Sequence, residues 1–430
     1  MKRITALFLL CVTLLTATAC SDTELNDLTG EPTTETVNET VTETVNKKPQ
    51  ESNLKLRIAD PLTWDDINAI PVANDTMSTE ELRKICVDYM NLELTFPWQA
   101  NQKQSFEWSP GHPDSILANT AYGGMPYVSS TMSTLYQIMY YYDQETGVVD
   151  TKRMGASFTQ IMGNQCSGST FWGWARVSDS IDWSGTSEIL PSHGAVKIGP
   201  YEYDTTMTSF NSVKTVDLCE NNGEQIMFQS YAQLLKADGV VYNQYGAGHV
   251  MMVTEKAVVV TKDGAINGKE SYVYVQDQQE KRYMDKQSDG SVILVMKGVS
   301  HKVSFEELYE GGYLPFSLPE FHGKAVSKAE VSYVDRKDGT SVQDIISGSI
   351  RSNYAISDIN IRIYDKDGNF TGERFYCLGS KNPYARSLTA SVLGPTSLIS
   401  RYVAEGSRAK LNVRISTGEE ICLYDGPITK

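Results

Sequence analysis

The chain has 430 residues, a formal net charge of -15, and 40% hydrophobic and 10% aromatic residues. That length holds two or three domains, each able to bury a core of its own. The acidic balance excludes electrostatic binding to nucleic acid or to an anionic membrane surface.

Lys2 and Arg3 precede an apolar run and a series of small residues up to Cys20. This is the layout of a secretory leader over 1–20 rather than of a membrane span. Ala17-Thr18-Ala19-Cys20 resembles the lipobox of bacterial lipoproteins, which implies cleavage before Cys20, acylation of that cysteine with palmitate-type chains, and a membrane contact through the N-terminal lipid alone. The acidic stretch SDTELND that follows is similar to the export tags of Gram-negative surface lipoproteins, so the expected location is the outer membrane or cell surface, with the periplasmic face as the alternative. Residues 21–55, with their Thr-Glu-Thr-Val repeats, have almost nothing to bury and read as a disordered tether.

From residue 56 the pattern becomes globular. Ser78 and Glu81 have the spacing of a capping box and predict a helix over 79–91, with Leu82, Ile85, Cys86 and Tyr89 on one face. Residues 95–108 read as extended structure. Helices are expected over 130–142, 167–179, 216–235 and 304–310, the last opened by the Ser304-Glu307 capping box, and strands over 249–260, 271–278 and 291–297. Helices followed by a strand meander give an α+β class with an antiparallel sheet. The last hundred residues are short alternating strands separated by Asp-Gly and Gly turns, which predict a β-sandwich over 324–430. Cys377 and Cys422 lie on two of those strands and could pair.

Of seven cysteines, Cys11 falls in the leader and Cys20 is taken by the lipid, leaving five beyond it. An odd number in an oxidising compartment leaves at least one unpaired. Cys86 reads as a small buried hydrophobe and Cys219 as structural. Cys166 opens the stretch CSGSTFWGW, where Ser167, Gly168 and Ser169 suit a first helical turn and Phe171, Trp174, Ala175 and Ser178 keep helical spacing. A thiol at a helix N-terminus sits where the dipole favours the thiolate. Of the five histidines, only His249 opens an apolar run, GHVMMV; it either caps a strand or carries an imidazole to the edge of a sheet. The third group of a triad belongs on the strand paired with that of His249, and SYVYVQDQQ supplies Asp277 by alternation with Val273 and Val275. Gln278 and Gln276 are the alternatives, since a one-residue bulge would exchange them.

Three blocks in order, Gly124-Met125-Pro126-Tyr127, Gln165-Cys166-Ser167-Gly168 and LLKADGVVYNQYGAGHVMMV, resemble those of the NlpC/P60 superfamily of papain-like cysteine hydrolases over about 120–280. The resemblance implies a papain-like catalytic domain within 56–323, with helices packed on an antiparallel sheet. It also implies cleavage of peptide or γ-glutamyl amides, typically in peptidoglycan stem peptides. Cys166 is then the nucleophile, His249 the general base, and Tyr127 and Ser167 the oxyanion or substrate contacts. This sequence departs from the family at Gln165, where aspartate is usual, at Asp238-Gly239, which reverses the usual Gly-Asp, and in long insertions either side of Cys166. The stretch SSTMSTLYQIMYYYD is similar to the nucleophile helix of streptopain-like peptidases, in a register that puts Ser130 at their cysteine. The rival functional class is a catalytically silent surface lipoprotein that uses the fold as a binding module. No metal-ligand spacing, phosphate loop or dinucleotide fingerprint is present, so neither a metal nor a cofactor is expected.

Overall fold

The computed structural model describes residues 58, 60–183, 185–279, 282–286, 292–296, 300–378 and 384–430. The expected leader, the expected lipidation position Cys20 and the expected tether all lie outside the described residues. What is described is an α+β protein with several sheets and two separate buried cores.

After a short helix at Trp64–Asn68, α1 (Thr79–Thr95) begins at the Ser78-Glu81 capping box and runs one turn beyond the expected end. A sheet then forms from Pro97–Ala100 and Ala121–Gly123, joined by the short strands Tyr142–Asp143 and Val148–Val149. The predicted helix over 130–142 is confined to Leu135–Met139, because its N-cap is Thr134, whose hydroxyl accepts from the Gln137 N–H. Ser130 is an exposed turn residue ahead of it. Next comes α2 (Cys166–Trp174), every residue of which is buried. It packs against α1 and the central sheet; a Cβ on Gly173 would stand 3.0 Å from Met252 Cε and 3.1 Å from the Cys86 carbonyl.

The single helix expected over 216–235 is two, α3 (Thr215–Asn222) and α4 (Glu224–Tyr231), broken at Gly223 with φ +82. That conformation is open to glycine and ends a helix. The central sheet contains β1 (Val196–Lys197), β2 (Gly239–Gln244), β3 (Ala247–Val253), β4 (Tyr272–Gln276), β5 (His301–Ser304) and β6 (Leu314–Ser317). Its order is β5-β4-β3-β2-β6-β1 and every neighbouring pair is antiparallel. Strand β3 stops at Val253 rather than at 260, where Glu255 and Lys256 are exposed. The expected strand over 291–297 does not join this meander. Val292–Met296 pairs with Arg282–Lys286 as a hairpin and continues, parallel, onto Ala121–Gly123 of the other sheet.

The C-terminal region has a three-stranded sheet, Val331–Val334, Ser349–Ser352 and Ser387–Thr389, and a four-stranded one, β7 (Ile356–Tyr364), β8 (Phe370–Cys377), β9 (Arg408–Ile415) and β10 (Glu420–Pro427), ordered β8-β7-β9-β10. Strand alternation divides the labour of the larger sheet. Ile359, Ile361 and Ile363 with Leu411, Val413 and Ile415 fill the second core. The opposite face carries Asp358, Asn360 and Arg414 toward the N-terminal region. There Tyr140 donates to Asp358 at 2.8 Å and stacks on Phe375 at 4.0 Å, and Arg414 lies 3.7 Å from Asp358 and over the rings of Trp64 and Tyr136. Ser416 donates to the Ala175 carbonyl at 2.7 Å, just beyond the C-terminal end of α2. Cys377 and Cys422 do not pair. They sit on β8 and β10, at opposite edges of the sheet with two strands between them, a span of about 14 Å that no disulfide bridges.

Candidate active site

Residues 124–128 run beside the approach to α2. The Asn164 N–H donates to the Pro126 carbonyl at 3.1 Å and the Val128 N–H donates to the Asn164 carbonyl at 2.9 Å. The Gly124-to-Tyr127 block and the Gln165-Cys166 turn, nearly forty residues apart in sequence, are thereby brought side by side. Tyr127 is buried with its ring edge-on to Trp108 at 5.8 Å. Gln165 is the N-cap of α2 in extended conformation (φ -113, ψ 172), and its side chain makes no capping hydrogen bond. The first-turn N–H groups and the positive end of the dipole are therefore presented at Cys166. Ser167 is in that turn too, and its buried hydroxyl has no hydrogen-bond partner among the described residues.

His249 is the third residue of β3, opposite Tyr242 on β2. Continuing the Val275–Val253 pairing of β4 with β3 puts Asp277 on the same sheet face as His249. The outcome is a contact of 2.5 Å between His249 Nε2 and Asp277 Oδ2. An ionised carboxylate only accepts, so Nε2 carries the hydrogen. The imidazole also hydrogen-bonds the Cys166 thiol, and with Nε2 committed, Nδ1 is the nitrogen left for it. The imidazole side chain is 24% exposed, whereas Asp277 and Cys166 are fully buried. Burial works against the imidazolium, but the Cys166 charge, then the hydrogen bond and charge of Asp277, outweigh it and hold His249 well above its usual value. A thiol, an imidazole and a carboxylate in line can transfer the thiol proton to nitrogen and keep the resulting ion pair.

No family model matches the chain, and no curated protein or solved structure matches it. Among the described residues no group of three or more His, Cys, Asp and Glu is placed to hold a metal ion, and no helix is long and apolar enough to cross a membrane.

The two glutamines flanking Asp277 point elsewhere. Gln276 donates to the Val87 carbonyl at 3.1 Å, and Gln278 to the Met125 carbonyl at 2.7 Å. Three neighbours of the line escape the sequence reading. Gln279 donates to Asp277 Oδ2; His301 Nδ1 faces Asp277 Oδ1 at 3.7 Å; and Tyr313, its hydroxyl raised by burial, feels the charges of His249, Asp277 and Cys166. His301 is opposite Val275 in the ladder, so alternation puts it on the His249 face once β5 is known to pair with β4. Nothing in the sequence announces that pairing. Cys86 and Cys219 are buried, and burial pushes both thiols up, Cys219 to about 12.

Proposed function

We propose that the chain is a cysteine amidohydrolase with a papain-like catalytic domain, cleaving peptide or γ-glutamyl amides. The observation that carries the reading is the line from the Cys166 thiol at a helix N-terminus, through the His249 imidazole, to the buried Asp277 carboxylate 2.5 Å beyond it. Cys166 attacks the amide carbonyl after its proton passes to His249. The oxyanion is held by N–H groups in the first turn of α2, His249 then protonates the leaving amine, and water hydrolyses the thioester. Asp277 fixes the tautomer and stabilises the imidazolium. The secretory leader and the lipobox resemblance favour a cell-envelope substrate, and peptidoglycan stem peptides are the class we put forward.

The burial of Cys166 favours a second reading, a silent fold used for binding, because a nucleophile must meet its substrate. Incubating the purified protein with purified peptidoglycan, wild type beside Cys166→Ala, separates the two. Release of new amino termini by the wild type alone supports hydrolysis. No release from peptidoglycan or from γ-glutamyl dipeptides favours binding.

A further inference from the structure

Behind the nucleophile turn lies a polar cluster that the reaction does not touch. Asn164, two residues before Cys166, is fully buried and spends its side chain entirely on its surroundings. Its Oδ1 accepts from the Gln165 N–H at 2.9 Å, and its Nδ2 donates to Glu93 Oε1 at 2.7 Å, to Ser169 Oγ at 3.1 Å and to the Ser133 carbonyl at 3.2 Å. Glu93 comes from α1, has no exposed surface, and also hydrogen-bonds Ser169 on the first turn of α2. Its backbone carbonyl accepts from the Met125 N–H at 3.2 Å, tying the same residue to the block that carries Tyr127. The fit is tight: a Cβ at Gly168 would stand 2.0 Å from Asn164 Oδ1.

A carboxyl group buried without a cation is costly unless hydrogen bonds compensate it. Among the described residues no arginine or lysine pairs with Glu93, and its Oε2 has no hydrogen-bond partner. Burial, opposed by the bonds from Ser169 and Asn164, pushes its carboxyl up to about 8. A leucine would fill the same volume without that cost, and packing gives no reason for a carboxyl here. What a leucine cannot do is hold the Asn164 amide in the plane that offers Oδ1 to Gln165.

We infer that Glu93, acting through Asn164 and Ser169, is a positioning residue that sets the nucleophile turn, so that the Cys166 thiol is aimed at His249. This rests on the reading of Cys166 as a nucleophile, deepens it, and assigns Glu93 no contact with substrate. Outer partners of this kind act through sub-ångström placement, where a shift of about 1 Å costs on the order of a hundredfold in rate.

The test is the second-order rate of Cys166 alkylation by iodoacetamide at neutral pH, read by mass spectrometry of its peptide, in wild type, Glu93→Leu, Glu93→Gln, Asn164→Ala and His249→Ala, with thermal unfolding as the check on folding. The expected result is a fall of roughly tenfold to a hundredfold in Glu93→Leu and Asn164→Ala. Glu93→Gln, which retains an acceptor for Asn164, should stay within about threefold of wild type, a rescue that mere packing does not produce. Should Glu93→Leu fail to fold, Ser169→Ala takes its place, with the same fall expected. Folded variants that alkylate at the wild-type rate overturn the positioning role while leaving the nucleophile intact. A wild-type rate no faster than that of His249→Ala overturns the nucleophile reading itself, and the positioning role with it.

Discussion

Replacing Asp277 with asparagine keeps the shape of the side chain and removes its charge from beside His249 Nε2, 2.5 Å away. Opposite charges about 4 Å apart attract by about 4 kcal/mol at an effective dielectric near 20. With the imidazole 24% exposed, solvent screening leaves on the order of 2 kcal/mol, or about thirtyfold in the equilibrium that forms the thiolate–imidazolium pair. The amide can also turn its NH2 toward Nε2, which would drive the hydrogen to Nδ1 and take away the acceptor for the thiol. Histidine-selective NMR titration reads the effect, with His249→Gln assigning the resonance. In the wild type His249 should remain protonated beyond the range of an ordinary imidazole, and in Asp277→Asn its titration should move down. An unchanged titration would mean that the carboxylate does not hold the imidazolium, and the triad argument would fail.

Three further perturbations follow from the same contacts. Gly168→Ala drives a Cβ to 2.0 Å from Asn164 Oδ1, and the displaced backbone should cost about 1–3 kcal/mol in denaturant unfolding, with slower Cys166 alkylation than an alanine at exposed Gly111 produces. Glu93 should make stability pH-dependent. Its carboxyl holds a proton up to about 8 in the folded chain, against an ordinary 4.5, so between those values the unfolded chain releases a proton that the folded one keeps, and stability falls as pH rises, by roughly 1 kcal/mol per unit. Tyr89, one turn earlier on α1, is the titratable neighbour that shares this site. Glu93→Gln should flatten the unfolding midpoint between about pH 5 and pH 8, and an unchanged slope would locate the titration elsewhere. Arg414→Ala leaves Asp358 buried without its cation. A loss of about 3–5 kcal/mol is expected, with the C-terminal sheets melting ahead of the rest in calorimetry; a single transition at the wild-type temperature would contradict the interface described above.

Much of the arrangement around Cys166 was legible because it depends on local rules. The Ser78-Glu81 capping box fixes the start of α1, the small residues after Cys166 allow it to open α2, and strand alternation selects Asp277 over its glutamine neighbours. What was hidden depends on tertiary placement. Glu93 lies beyond the helix end expected at 91, yet it falls four residues after Tyr89 and continues the stripe Leu82-Cys86-Tyr89 that the structure buries. The helix over 216–235 was overdrawn because Gly223 can end a helix as readily as sit in one, and its positive φ appears only in the fold. The strand at 292–296 went to the second sheet because alternation fixes its faces but not its partner. The Asp358–Arg414 contact joins residues on two adjacent strands and covers them with Tyr140, more than two hundred residues away, for which the sequence carries no signal.

The proposed hydrolysis requires that Cys166 and His249 share a proton as a reactive pair. The direct measurement is the rate of Cys166 alkylation by iodoacetamide from about pH 5 to about pH 9, in wild type and in His249→Ala. A reactive pair gives a wild-type rate that stays high well below the ordinary thiol range and a His249→Ala rate that climbs only as the free thiol ionises. Superimposable profiles rising near about pH 8.5 would contradict it.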